Sequence, residues 1–89
     1  MKISKEKRDK ITEQILALLY HSFPNSMFTA EIAKEIARDE EFTKSLLLDA
    51  EKKALVLPIR KNKKGIKYLK RIRWRLTNKV HTAYKQHQA

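Results

Sequence analysis

Arg60, Lys61, Lys63, Lys64, Lys67, Lys70, Arg71 and Arg73 place eight cations within fourteen residues, and no carboxylate stands among them. Ammonium and guanidinium groups at this density make charge-assisted hydrogen bonds to phosphate oxygens, and phosphate backbones are the commonest polyanion inside a cell. The rest of the 89-residue chain sharpens that reading. Residues 1–30 carry five basic and three acidic side chains, residues 31–51 three and seven, and residues 52–89 thirteen and none. The blocks are therefore +2, −4 and +13. Lysine-rich surfaces also arise for solubility or heat resistance, but there Glu and Lys rise together and intermix. Here they segregate, which favours nucleic acid as the partner.

Other chemistry finds little support. There is no cysteine, hence no disulfide scaffold, no thiolate zinc site and no thiol nucleophile, which fits a reducing compartment. His21, His81 and His87 are too scattered to hold a metal without carboxylates beside them, and they are expected at the surface. No cofactor is expected. There is no phosphate-binding glycine loop, no Ser nucleophile with a plausible His and acid, and no carboxylate pair in an apolar setting, so the chain is not expected to be an enzyme. The longest apolar stretch, Ile15 to Tyr20, is far short of the roughly 20 residues a membrane helix needs. The N-terminus has basic residues but no apolar region after them, so no export signal is expected.

The elements that must carry these side chains follow from apolar spacing. One domain over residues 1–89 is expected from the length. Ser4 caps a helix over about residues 5–22, with Ile11, Ile15, Leu18 and Leu19 on one stripe. Pro24-Asn25-Ser26 ends it, and Met27-Phe28 is a short extended piece. Thr29 reads as the next N-cap, ahead of a helix over about 30–38 with Ile32, Ala33, Ile36 and Ala37 inward. Asp39 caps a third, over about 40–53, with Glu40 and Glu41 in its first turn, where negative charge suits the helix dipole. Phe42, Leu46, Leu47 and Ala50 face its core, leaving Leu48 exposed and Thr43, Lys44 and Ser45 outward. Strands at about 55–60 and 71–76 follow. In the second, Ile72, Trp74 and Leu76 fall on one face and Arg71, Arg73 and Arg75 on the other. Pro58 suits an edge, and Gly65, the single glycine, can take the positive φ of the hairpin between them. Thr77 caps a last helix over about 78–86. Trp74 is read as core rather than as a base-stacking platform, because Ile72 and Leu76 share its face. Tyr68 either stacks on a base or folds back on the domain.

This order of elements resembles the winged helix-turn-helix family over nearly the whole chain. Phe28-Thr29-Ala30-Glu31-Ile32-Ala33-Lys34-Glu35-Ile36 is similar to the family's entry into its second helix. Ala50-Glu51-Lys52-Lys53-Ala54-Leu55-Val56 resembles the passage from recognition helix to first wing strand, and Arg75-Leu76-Thr77 the exit from the second strand. The fold implied is α+β and mainly helical: a three-helix core, a two-stranded β-hairpin wing and a C-terminal helix. Ala37-Arg38-Asp39 stands where the family usually has Gly or a tight polar turn, and Ala54 where it usually has Gly. A left-handed Ala54 would cost about 1 kcal/mol.

The resemblance implies a sequence-specific double-stranded DNA-binding protein, a transcriptional regulator. Its third helix would enter the major groove through Thr43, Lys44, Ser45 and Leu48, and its wing cations would lie on backbone or minor groove. The third helix also turns Glu40, Glu41 and Asp49 outward, and it lacks the Arg, Asn and Gln that read bases best. Alternatives from the composition are an RNA- or ribosome-binding winged helix, a non-specific architectural DNA binder and a protein-interaction module. A homodimer on paired half-sites is expected, with Tyr20, Phe23, Val80 and Tyr84 either at its interface or in the core. The expected location is cytoplasmic, with the nucleoid.

Overall fold

The computed structural model describes residues 4–59 and 72–87. Four helices and a small sheet form it: α1 (Lys5–Ser22), β1 (Met27–Phe28), α2 (Thr29–Ile36), α3 (Glu40–Lys52), β2 (Val56–Ile59), β3 (Arg73–Leu76) and α4 (Asn78–His87).

Each helix starts where a side chain or carboxylate satisfies an orphan amide. Ser4 accepts from the Lys7 amide at 3.3 Å, and the Asp39 carboxylate accepts from the Phe42 amide at 3.1 Å. The Thr77 hydroxyl accepts from the Val80 amide and donates to the Ala54 carbonyl, so one residue caps α4 and ties it to the end of α3. The second helix differs from expectation. Phe28 is its N-cap, the Glu31 carboxylate accepts from the Phe28 amide at 2.9 Å, and Thr29 is already helical. The Thr29 hydroxyl has a different task, accepting a 2.8 Å bond from the Trp74 indole and donating to the Ile72 carbonyl.

The sheet has three strands rather than two. β3 lies in the middle, antiparallel to both neighbours, with Met27 opposite Trp74 on one side and Val56 opposite Leu76 on the other. Two residues suffice for β1 because β3 would otherwise leave backbone donors and acceptors unpaired beside the core. Alternation along β3 buries Trp74 and Leu76 completely and leaves Arg73 and Arg75 half-buried on the opposite face.

Ile11, Ile15, Leu16, Leu19, Ile32, Leu46, Leu47, Ala50, Val56, Trp74 and Leu76 pack into one core cluster. Leu16, not Leu18, completes the α1 face, and Leu18 is half-buried at its edge. On α3 Leu48 is half-buried against the core rather than exposed, and among the described residues the exposed large apolar side chain is Leu57 on β2. Tyr20, Phe23, Val80 and Tyr84 pack against the core within the chain. His81 belongs to this packing and is not a surface residue. Its ring stacks on Phe23 with centroids 3.8 Å apart and on Tyr20 at 5.1 Å. Burial raises the Tyr84 pKa above the ordinary tyrosine value, and the facing Glu13 carboxylate raises it further by charge and by hydrogen bonding.

Ala37 and Ala54, which follow α2 and α3, both take positive φ, 55° and 59°. In each case the next amide reaches back five residues, Arg38 to the Ala33 carbonyl at 3.0 Å and Leu55 to the Ala50 carbonyl at 2.9 Å. That is the Schellman closure, in which glycine is the usual left-handed residue. The geometry expected at Ala54 is present there and also at Ala37. An alanine in this region costs about 1–2 kcal/mol, while glycine loses about 0.5–1 kcal/mol more chain entropy on folding. Ala37→Gly and Ala54→Gly should therefore each raise stability by about 0.5–1 kcal/mol. Urea denaturation followed by circular dichroism reads the change, and a lowered midpoint in both variants would contradict the assignment.

Candidate nucleic-acid interface

The third helix is held on two sides and open on a third. Arg8 of α1 donates to Asp49 at 2.8 Å, with its guanidinium 5.8 Å from the centre of the Phe42 ring, and this clamps one flank of α3 to the first helix. Leu46, Leu47 and Ala50 anchor its inner face in the core. The far flank opens on a cleft of about 580 Å3 lined by Phe28, Thr29, Ala30, Glu31, Glu40, Glu41, Lys44 and Ile72. The cleft thus lies between α3, the start of α2 and the root of β3.

Of the residues expected to read bases, Lys44 is exposed on this cleft. Ser45 is half-buried, and its hydroxyl donates to the Phe42 carbonyl at 2.7 Å, which leaves its lone pairs as acceptors. Leu48 is half-buried. Thr43 must be withdrawn from the set: it is fully buried, and its hydroxyl donates to the Asp39 carbonyl at 2.8 Å. The reason is helical phase, since residues 43, 46, 47 and 50 share one face and that face is the core. The same phase puts Glu41 on the outward stripe with Lys44, Ser45 and Leu48. Glu41 is exposed there, as the sequence pattern implies, in addition to standing in the first turn of the helix.

Among the wing cations, Arg73 sits at the base of the hairpin, half-buried, with its guanidinium 5.8 Å from the centre of the Phe28 ring across the β1–β3 pair. Arg75 lies in the same way 5.6 Å from the Phe23 ring centre. Arg60, Lys61, Lys63, Lys64, Lys67, Lys70 and Arg71 lie outside the described residues, as do Gly65 and Tyr68. Among the described residues no three His, Cys, Asp or Glu side chains group closely enough to hold a metal ion, and no helix is long and apolar enough to cross a membrane.

Helix, short strand, two helices, two further strands and a closing helix, with α3 beside the strand pair, constitute the winged helix-turn-helix fold. Solved structures share it. A mutant of Lactococcus lactis ZitR in apo form superimposes with a TM-score of 0.70 at 22% identity, over 93% of this chain and 58% of that one. Staphylococcus aureus MepR in its DNA-binding conformation gives 0.70 at 19% identity, over 88% of this chain and 54% of that one. The MepR–DNA complex gives 0.70 at 22% identity, over 91% of this chain and 66% of that one. MepR is a transcription regulator of the S. aureus multidrug efflux pump MepA. The chain spans between about half and two thirds of these proteins. No protein-family model and no curated protein matches it.

Proposed function

We propose that this chain binds double-stranded DNA in a sequence-specific manner and acts as a transcriptional regulator, not as an enzyme. The observation that carries the reading is where the charge falls on the fold. Seven cations occupy residues 60–71, the segment joining β2 to β3, with no carboxylate among them. In a winged helix that segment is the wing, which lies on the backbone or minor groove when the third helix enters the major groove. Similarity of fold to MepR, which has been crystallised with DNA, supports the same reading.

The site residues in this proposal are Lys44, Ser45 and Leu48 toward base edges, and Arg60, Lys61, Lys63, Lys64, Lys67, Lys70, Arg71 and Arg73 toward phosphate. A single module of this size buries a modest interface, so we further propose a homodimer on two half-sites about one helical turn apart. Location in the cytoplasm, with the nucleoid, follows from that role.

Selection from a random duplex pool, at near-physiological salt with competitor DNA, is the test. An enriched inverted repeat is the expected result and would establish both specificity and the dimer. Retention without enrichment would make the protein an architectural DNA binder. If structured RNA displaces the duplex, or nothing is retained, the DNA reading fails.

A further inference from the structure

An α-helix advances about 100° per residue, so the side of α3 opposite its buried face is fixed by phase. With Thr43, Leu46, Leu47 and Ala50 buried, Glu41 and Lys44 fall on the outward side three residues apart, and both are exposed. They open on the same cleft as Glu31, Glu40 and the first residues of α2. A helix N-terminus often takes a phosphate, but here the start of α2 is already served by a protein carboxylate, Glu31 on the Phe28 amide. Three carboxylates on one opening repel backbone phosphate. What can approach them from a duplex is an exocyclic amino group of a base.

Given the DNA-binding reading above, on which this inference rests, we propose that Glu41 and Lys44 are specificity-determining residues that together select a C·G base pair in the major groove of each half-site. Across the major-groove edge of that pair, guanine presents two acceptors, N7 and O6, followed by the cytosine N4 donor. An ammonium is a donor only and an ionised carboxylate an acceptor only. Lys44 therefore suits the guanine edge and Glu41 the cytosine amino group, and residues at i and i+3 are close enough to span one pair. With adenine in guanine's place the last two groups are reversed, so a carboxylate placed for cytosine N4 meets thymine O4; with adenine in cytosine's place an amino group remains for Glu41, but Lys44 meets a thymine methyl where guanine N7 stood. Ser45 cannot take the part of Lys44, since its hydroxyl proton is held by the Phe42 carbonyl and only its lone pairs remain, as a weaker neutral acceptor beside the Glu41 carboxylate.

The test compares the sequences selected from a random duplex pool by the full-length wild-type chain, Glu41→Gln and Lys44→Met. Both substitutions are at exposed positions, and thermal unfolding by circular dichroism confirms that each variant keeps the fold. The wild type is expected to enrich one C·G pair at a fixed place in each half-site. Glutamine pairs with adenine N6 and N7, so Glu41→Gln should replace the cytosine of that pair by adenine and bind the wild-type site about ten- to a hundredfold more weakly. Lys44→Met should lose the preference for guanine at the same position without gaining another. A merely structural role for Glu41, as a favourable charge at the helix start, would leave the selected sequence unchanged. An unchanged sequence in both variants, or a wild-type site with no such C·G pair, overturns the proposal. Retention of DNA without any enrichment overturns it while leaving DNA binding intact, whereas failure to retain DNA overturns both.

Discussion

Trp74→Ala is expected to lower the unfolding free energy by about 3–5 kcal/mol, the usual cost of truncating a buried aromatic side chain. A chain of this size has about 4–13 kcal/mol in total, so the loss amounts to between about a quarter of the stability and all of it. Two effects coincide at this residue. The indole is fully buried at the middle of the sheet, and its N–H is the donor of the 2.8 Å bond to Thr29. Trp74→Phe separates them: most of the apolar volume stays, and the Thr29 hydroxyl keeps the Ile72 carbonyl as its own acceptor. That variant should lose about 1–2 kcal/mol. Thr29→Val should be the worse half of the pair, at about 1–3 kcal/mol, because it strands a buried indole donor. Urea denaturation by circular dichroism measures all three. A Trp74→Ala protein within about 1 kcal/mol of wild type would show that this residue does not hold the wing to the helices.

The second large effect is electrostatic. If the basic segment makes about five to seven phosphate contacts, DNA affinity should fall roughly a thousandfold between about 50 and about 200 mM monovalent salt. The logarithmic slope is about −0.9 per contact, so it counts the contacts directly. Reversing the charge of Lys63 and Lys64 should flatten the slope by about two and weaken binding to every duplex alike, since phosphate contacts carry no sequence information. Fluorescence anisotropy of a labelled duplex reads both quantities. A slope near zero in the wild type would remove the wing from the interface.

These two predictions draw on parts of the molecule that differ in how far the sequence revealed them. The alternation of Arg71 to Leu76 announced a half-buried strand, and Trp74 could be assigned to the core from its neighbours two residues away. Thr29 could not be placed so well. A hydroxyl before an Ile-Ala pair satisfies every local rule for a cap, yet its partner Trp74 is 45 residues distant, and local rules do not reach that far. The pairing of β1 with β3 escaped for the same reason, since two residues carry no strand periodicity of their own. Thr43 is a different case. Its polarity suggested the outward face, but burial of a threonine is inexpensive when a carbonyl four residues back accepts its proton, and the phase of Leu46, Leu47 and Ala50 already pointed inward. At the candidate interface, the cations were legible as a block of charge, whereas the base-reading stripe depended on knowing which side of α3 meets the core.

The two left-handed alanines have a mechanical consequence. They flank the third helix, Ala37 three residues before its first residue and Ala54 two residues after its last. Glycine at such a junction explores a broad well on both sides of φ zero, but a Cβ confines the left-handed region to a narrow one. The helix is therefore mounted on two stiff joints, and its tilt relative to the rest of the domain has little angular play. Glycine at either joint would trade strain for compliance: the domain gains stability while the heading of the helix becomes less well defined. On the DNA-binding function proposed above, rigid joints tolerate few departures in the spacing or twist of a site, so selection from a random duplex pool should yield a broader set of sequences for the glycine variants than for the native chain.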